Sequence, residues 1–167
     1  MWVRAYDRAD REALVHLWNE TKRATYDFLP LERGRTVDED RGFFCERIEP
    51  RCVLWVAGRE GAIAGFLALA GSYVDRLYVR PAAQRRGVGA ALLARAKASS
   101  PAGLELHTHQ RNGKARAFYE KHGFRAVKFG ISPPPENEPD IEYWWRPHLL
   151  GDEAPSKARS LRAPLPP

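Results

Sequence analysis

Apolar and polar residues alternate along the chain with two periodicities, one typical of strands and one typical of helices. The positions where the periodicity changes mark the boundaries of the predicted elements. Residues 3–6 fit a first strand, after which Asp7 or Asp10 offers an N-cap for a helix. The helical spacing predicts one buried face, formed by Ala13, Leu14, Leu17 and Trp18. A second helix is predicted at about residues 37–46, ending before Pro50.

The middle of the chain is rich in strands. Residues 52–57 and 62–70 are joined by a turn at Arg59-Glu60-Gly61 and predict a β-hairpin. After it, strands and helices alternate. Strands are predicted at residues 73–79, 104–108, 124–129 and 141–145. Helices are predicted at 87–98 and 112–122, the latter closed by Gly123 as C-cap. Helices inserted after the first, fourth and fifth strands indicate a mixed α/β sheet.

Length and composition favour a single domain. The chain has 167 residues, of which 44% are hydrophobic and 29% charged, enough for one core and too charged for a membrane-embedded protein. The N-terminus lacks the apolar centre of a signal peptide, so we expect a soluble cytoplasmic protein. Cys45 and Cys52, without redox or metal spacing, are expected to be reduced structural thiols.

The charge balance is basic. Lys and Arg number 27 against 21 Asp and Glu, a net charge of +6. Such a balance permits nucleic acid, acidic lipid or a phosphorylated cofactor as a partner. However, the charge is spread along the chain, and the sequence carries no helix-turn-helix, zinc-finger or RNA-binding signature. A basic nucleic-acid-binding module is therefore only a remote alternative.

The sharpest local motif is Gln84-Arg85-Arg86-Gly87-Val88-Gly89-Ala90, which follows a strand and opens an amphipathic helix. Glycines let the backbone approach a ligand closely, and the free N–H groups of a helix start suit a pyrophosphate. The dinucleotide fingerprint is excluded because Leu92 stands where its third glycine is needed. A P-loop is excluded because no Gly-Lys-Ser/Thr follows.

Two motifs, which follow one another along the chain, resemble those of the GCN5-related N-acetyltransferases (GNAT). The stretch from Leu77 to Gly89 fits their acetyl-CoA motif without a gap, and Asn112 to Phe124 fits a second hallmark at the expected distance. The resemblance implies a single-domain α/β (α+β) GNAT fold. Its mixed, mostly antiparallel sheet has about six to seven strands, splays between the fourth and fifth, and is flanked by about four helices. The N-acetyltransferase domain is predicted over residues 1–149. Residues 150–167, rich in Pro, Ala and Arg and with little to bury, are predicted from their composition to be a disordered tail.

The resemblance implies how acetyl-CoA is held as acyl donor. The fourth strand would bond the pantetheine arm, the loop would cradle the pyrophosphate, and Asn112 would bond the pantetheine region. The implied contacts are Leu77, Tyr78, Val79, Arg85, Arg86, Gly87, Val88, Gly89, Ala90, Asn112 and Tyr119.

Direct transfer of an acetyl group to an amine needs a base for the amine and an acid for the departing thiolate. Tyr119 stands at the family's acid position, and a phenol with a pKa near ~10 can protonate a thiolate. Three possibilities remain open for the base: His107, Asp75 acting through a water, or no dedicated group. Glu105 lies on the same strand face as His107. No metal is expected, since His107 and His109 lack a fixed third ligand.

The acceptor pocket is expected from the first helical region and the last strand pair. Its proposed aromatic walls are Trp18, Tyr26, Phe28 and Trp144, with Tyr143 and Trp145 as further candidates. Three acids before the last strand, Glu136, Glu138 and Asp140, could attract a cationic amine. The alternative interpretation is equally good for both sets: the aromatic residues would serve core packing, and the acids would be solvated loop charges.

The prediction is thus an acetyl-CoA-dependent N-acetyltransferase acting on a small-molecule, amino-acid or protein amine, with no membrane partner. The resemblance points to a small bacterial member and allows a homodimer. A catalytically silent acyl-CoA sensor on the same fold is the alternative.

Overall fold

The computed structural model describes residues 1–147, so the tail predicted at 150–167 lies outside the described residues. The chain divides into two units, the first Met1–Ser99 and the second starting at Ser100, and each is described by itself. The single domain over 1–149 stays a prediction. Within residues 1–147 there are seven strands and five α-helices, one helix more than expected.

The first unit contains four strands and four helices. The strands are β1 (Trp2–Ala5), β2 (Val53–Arg59), β3 (Ala62–Ala70) and β4 (Tyr73–Val79). The helices are α1 (Arg11–Thr25), α2 (Pro30–Arg33), α3 (Val37–Phe43) and α4 (Val88–Ser99). The strands pair in sequence order, and every pairing is antiparallel.

Helix α1 begins one turn later than its first capping residue suggests. Asp7 and Asp10 form a reciprocal capping box around a short 3₁₀ turn, and α1 follows directly. Leu14, Leu17 and Trp18 are buried as predicted. Ala13 is exposed instead, because the buried stripe turns towards Val15 and Asn19 and leaves Ala13 beside Glu12 and His16.

Helices cover both faces of this sheet. On one face, Trp18 of α1 contacts Phe43 of α3 and Tyr78 of β4, with ring centroids 6.0 and 6.3 Å apart. On the other face, α4 packs closely at Gly65 of β3, where an added Cβ would lie 3.1 Å from Val88 Cγ1. The four α4 residues predicted to be buried, Val88, Leu92, Leu93 and Ala96, are at most 1% exposed.

The second unit contains three strands and one helix. They are β5 (Leu104–His109), α5 (Gly113–Lys121), β6 (Arg125–Ile131) and β7 (Pro139–Trp145). The strand order is β5–β7–β6 with antiparallel pairing throughout. Asn112 caps the start of α5 by accepting from the Ala115 amide, and Gly123 follows its end at φ 83°.

The two faces of the β5–β7 pair differ in chemistry. Leu106 lies opposite Tyr143, which is fully buried and reaches Arg116 and Glu120 of α5, so α5 covers this face. His107 lies opposite Glu142 on the other face, because neighbouring strand residues point to opposite sides.

Candidate functional site

The loop from Gln84 to Gly87 turns the chain from β4 into the start of α4. Arg85 and Gly87 both adopt left-handed backbone conformations, at φ 61° and 85°. The Gln84 side-chain amide donates to the Val79 carbonyl at 3.0 Å, which ties the loop to the strand end. The first N–H groups of α4 have no partner within the helix, and the exposed guanidinium groups of Arg85 and Arg86 lie just before it. This donor set fits a pyrophosphate.

Strand β4 carries the predicted pantetheine segment, Leu77 to Val79, and one base candidate. Tyr78 turns towards α1, and its hydroxyl donates to the Tyr26 hydroxyl at 3.4 Å. Burial and the neighbouring Tyr26 raise the pKa of Tyr78 well above its ordinary value. Asp75 pairs with Arg76, Oδ2 to Nη1 at 3.3 Å, so its carboxylate is already engaged.

The two cysteines are free thiols. Burial, and then the nearby Asp75 carboxylate, raise the pKa of Cys52 to about 12. Such a thiol stays protonated at neutral pH and does not act as a nucleophile.

Tyr119 lies on α5 and is 8% exposed. Its ring contacts Phe118, Phe124 and Tyr143, with centroids 5.3, 5.5 and 6.4 Å away. Tyr143, named from the sequence as a pocket wall, faces α5 and donates to Glu120 at 2.6 Å. Burial and this bond raise the pKa of Tyr143. Asn112 uses Oδ1 to cap α5, and its side-chain NH₂ group remains the part suited to a ligand carbonyl.

His107 meets a carboxylate that the sequence does not single out. Its Nε2 lies 3.9 Å from Oε2 of Glu142, and both side chains are at most 20% exposed. Trp144 fixes Glu142 by donating from Nε1 to Oε1 at 2.7 Å. Glu105, on the same strand face as His107, is paired with Arg146 at 2.8 Å. Pairing Glu142 with His107 requires the β5–β7 register, which no short motif encodes.

Of the three acids named from the sequence, Glu136 and Glu138 precede β7 and lie near basic side chains, while Asp140 lies within β7. Glu136 lies 3.3 Å from His109, and Glu138 lies 3.9 Å from Arg111. Asp140 is 5% exposed and packs beside Gly130. In the part of the chain that the structure describes, no group of three or more His, Cys, Asp and Glu is placed to hold a metal.

Three of the predicted acceptor aromatics come together in the first unit. The Tyr26 ring is 6.0 Å from Phe28 and 6.5 Å from Tyr78, and Tyr78 in turn contacts Trp18. The fourth, Trp144, stands in the second unit beside Glu142.

A buried ion-pair network supports this aromatic group. The fully buried Asp40 accepts from Lys22 Nζ at 2.6 Å, from Arg35 Nε at 3.0 Å and from Asn19 at 2.8 Å. Lys22 Nζ also lies 2.7 Å from Glu32 of α2 and 4.3 Å from the Trp18 ring centroid. The network therefore joins α1, α2 and α3.

Comparison with known proteins agrees with this geometry. Residues 50–126 match the model of the acetyltransferase (GNAT) domain. The chain is 35% identical over 127 residues to the peptidyl-lysine N-acetyltransferase YjaB of Escherichia coli, covering 75% of this chain and 82% of YjaB. It is also 28% identical to the peptidyl-lysine N-acetyltransferase YiaC of the same organism, over 75% of this chain and 84% of YiaC.

Solved structures show the same fold. The solution structure of apo YjaB matches with a TM-score of 0.72 and 28% identity, covering 86% of this chain and 96% of YjaB. A Bacillus anthracis chain described as a streptothricin acetyltransferase, solved with acetyl coenzyme A, matches with a TM-score of 0.53 and 26% identity. That match covers 59% of this chain and 64% of the other.

These matches confirm the fold and the enzyme class predicted from the sequence, and they do not favour the sensor or the nucleic-acid module. As for the membrane, none of the helices within residues 1–147 has the length and apolarity to cross one. The chain belongs to the GCN5-related N-acetyltransferase family and is an acetyl-CoA-dependent N-acetyltransferase.

Proposed function

We propose that the acceptor is the ε-amine of a lysine in a peptide or protein, with His107 as the base and Tyr119 as the acid. The proposal is carried by the His107–Glu142 pair, a histidine beside a carboxylate that is itself held by Trp144. A lysine ammonium must lose a proton before it can attack. The names of the similar proteins YjaB and YiaC, both peptidyl-lysine N-acetyltransferases, support the choice of a lysine.

The His107–Glu142 pair is suited to accept a proton at the imidazole. Glu142 Oε2 is within ion-pair distance of His107 Nε2, so its charge would stabilise the imidazolium that forms when His107 accepts a proton. Asp75 is the weaker base candidate, because its carboxylate already neutralises Arg76.

The remaining roles follow the sequence motifs. The backbone of Leu77 to Val79 would hold the pantetheine arm, while the α4 amides with Arg85 and Arg86 would hold the pyrophosphate. The neutral amine nitrogen attacks the acetyl carbonyl carbon, so that the nitrogen–carbon bond forms and the carbon–sulfur bond breaks. The thiolate takes the Tyr119 hydroxyl proton, and the nitrogen releases its second proton to solvent as the amide forms. The ring contacts of Tyr119 support this role, since they restrict its orientation.

The test is an acceptor panel assayed with acetyl-CoA. It contains a peptide with one lysine and a blocked N-terminus, its arginine counterpart with a free N-terminus, and polyamines. Thiol release gives the rate, and mass spectrometry locates the acetyl group. We expect turnover mainly on the lysine peptide, with the acetyl group on Nζ. Faster turnover on the free N-terminus or on polyamines would overturn the proposed acceptor.

A further inference from the structure

The outer strand of the second unit, β6, presents a row of apolar side chains to solvent. Val127, Phe129 and Ile131 are 45%, 62% and 67% exposed. The other exposed large hydrophobic residues within 1–147 are scattered over the first unit. Single exposed apolar residues are ordinary on a protein surface, whereas alternate residues of one strand lie side by side and form a patch.

The backbone of β6 also directs hydrogen-bonding groups away from β7, its only paired strand within residues 1–147. Just beyond the strand, the Ser132 N–H donates to the Glu138 carbonyl at 2.8 Å. Bonded and non-bonded positions alternate in an antiparallel pair. The residues two and four before Ser132 therefore bond to β7, whereas Phe129 and Ile131 direct their N–H and C=O groups outwards.

The charged residue within this row does not cover it. Lys128 lies opposite Glu142 of β7, whereas Phe129 lies opposite Ile141, so the two side chains stand on opposite faces of the sheet. A strand edge with unpaired backbone groups and apolar side chains is a template for a further strand. The edge of β6 therefore fits a partner that supplies an apolar strand.

A second copy of β6 fits this edge in one antiparallel register. If Phe129 lies opposite its own copy on a twofold axis, Ile131 lies opposite Val127 of the second copy. The outward groups of Phe129 then bond to each other across the axis. On the other face, Lys128 lies opposite Gly130, so no like charges meet.

Other registers and the end of the same chain fit less well. Centring the pair on Lys128 would place two lysines directly opposite each other. Centring it on Ile131 would place Phe129 opposite Pro133, which has no N–H to donate. Residues 148–167 contain no Val, Ile, Thr, Phe, Tyr or Trp, the residue types that favour strands.

We propose that β6 is the interface between two copies of this chain, paired antiparallel about Phe129. The proposal goes beyond the proposed function, because β6 contains none of the residues assigned to acetyl transfer. One strand pair is smaller than a standard interface of roughly 1,600 Å², so the dimer should dissociate on dilution.

The first test is sedimentation equilibrium of the full chain between about 1 μM and 1 mM, where the wild type should pass from monomer to dimer. Phe129→Lys should raise the Kd at least about tenfold, because apolar contact is lost and two lysines meet at the axis. Val53→Lys is the matched control, since Val53 is 59% exposed on β2 and should leave the Kd unchanged. Circular dichroism checks that each variant is folded.

Two outcomes of this test overturn the proposal. One is a wild-type chain that stays monomeric throughout, which is the result expected if residues 148–167 or solvent cover the edge. The other is a Phe129→Lys variant that dimerises as strongly as the wild type.

The second test addresses the register by cross-linking, after Cys45 and Cys52 are replaced by serine. Phe129→Cys should form a disulfide-linked dimer, because opposed Cα atoms in a hydrogen-bonded pair are about 5.5 Å apart, a distance a disulfide spans. Arg125→Cys should not, since its two copies would be about 26 Å apart, eight residues of strand rise. Failure of Phe129→Cys to cross-link, or equal cross-linking of both variants, overturns the proposed pairing.

Discussion

Tyr119 offers the most direct test of the chemistry, because its hydroxyl can be removed with little change in packing. We expect Tyr119→Phe to lower kcat by roughly 10²- to 10⁴-fold, the usual contribution of a general acid. Affinity for acetyl-CoA should change little, since the ring stays in place against Phe118 and Phe124. Thiol release measures the first quantity and calorimetric titration with CoA the second.

Tyr143→Phe is the matched control for that experiment. Its hydroxyl donates to Glu120 rather than to the reacting groups, so its loss should cost about 1–2 kcal/mol of stability and leave kcat near the wild-type value. Unchanged turnover in Tyr119→Phe would remove Tyr119 from the mechanism.

His107 and Glu142 should share one signature in the pH profile. The wild-type kcat/KM should rise with pH as His107 loses its proton, and His107→Ala should lose that rising limb. Glu142→Gln should keep the limb but shift its midpoint to lower pH, because the carboxylate that stabilises the imidazolium is gone.

His16 on α1 is the control for this pair, because it is exposed and lies outside the proposed machinery. His16→Ala should reproduce the wild-type profile. A rising limb that persists in His107→Ala would transfer the base role to another group.

A site residue can be predicted from the sequence when a local motif identifies it, and cannot when its role depends on a contact with a distant part of the chain. Loop 84–90 and Tyr119 sit in motifs whose spacing is local, so the sequence alone selects them. Glu142 could not be found in this way, because its neighbour His107 lies 35 positions away in the chain and meets it only through the strand register. Trp18 is predicted as an aromatic wall, but that its N–H has no acceptor within residues 1–147 depends on packing, which no motif describes.

Among the elements, β3 makes close contacts with both β4 and α4, the strand and the helix proposed to bind acetyl-CoA. A Cβ at Gly65 would lie 2.7 Å from the Tyr78 carbonyl oxygen and 3.1 Å from Val88 Cγ1. Gly65→Ala should therefore push β4 and α4 away from β3, costing about 1–3 kcal/mol of stability and weakening acetyl-CoA binding. Denaturant unfolding and CoA titration measure the two effects.

Gly42→Ala is the control for backbone substitution. Gly42 lies within α3, where an added Cβ has no neighbour within 4 Å, so alanine should raise stability by up to about 1 kcal/mol. Equal stability losses in the two variants would mean that the close contact at Gly65 is not the cause.

Strong periodic elements were predicted well, and short ones were not. The bounds of β4 match, because Gly71-Ser72 and Arg80-Pro81 interrupt the strand pattern on either side. The four buried residues of α4 match, because they recur at helical spacing. Helix α2 was missed, since a single turn beginning at Pro30 has no room for a 3.6-residue repeat. After Phe43, α3 runs on as a π-helical turn, Phe44–Ile48, whose change of hydrogen-bond pattern the side-chain rhythm does not reveal.

The stability of the whole protein should fall at both ends of the pH scale, and one cluster contributes to both. Glu49 is partly buried, which raises its pKa, but bonds from Arg11 and Tyr6 hold the pKa below its ordinary value. Its stabilisation is complete above the unfolded-state pKa of about 4.3 and is lost as the pH falls through the folded-state pKa.

Tyr6 acts at the alkaline end. Burial, and then its bond to Glu49, raise the pKa of Tyr6 to about 12. Its stabilisation is present below the unfolded-state pKa of about 10 and is lost as the pH rises to about 12. Denaturant unfolding across the pH range should therefore show a weaker acid loss in Glu49→Gln and a weaker alkaline loss in Tyr6→Phe. Parallel curves for both variants and the wild type would contradict this.

The opposite faces of the β5–β7 pair set a condition on repeated turnover. With the proposed roles, the ammonium gives a proton to His107 on one face, while the sulfur receives a proton from Tyr119 of α5, whose ring contacts Tyr143 of the other face. Because His107 gains a proton and Tyr119 loses one, each cycle ends with an imidazolium and a phenolate. His107 must then release a proton and Tyr119 must regain one before the enzyme can react again.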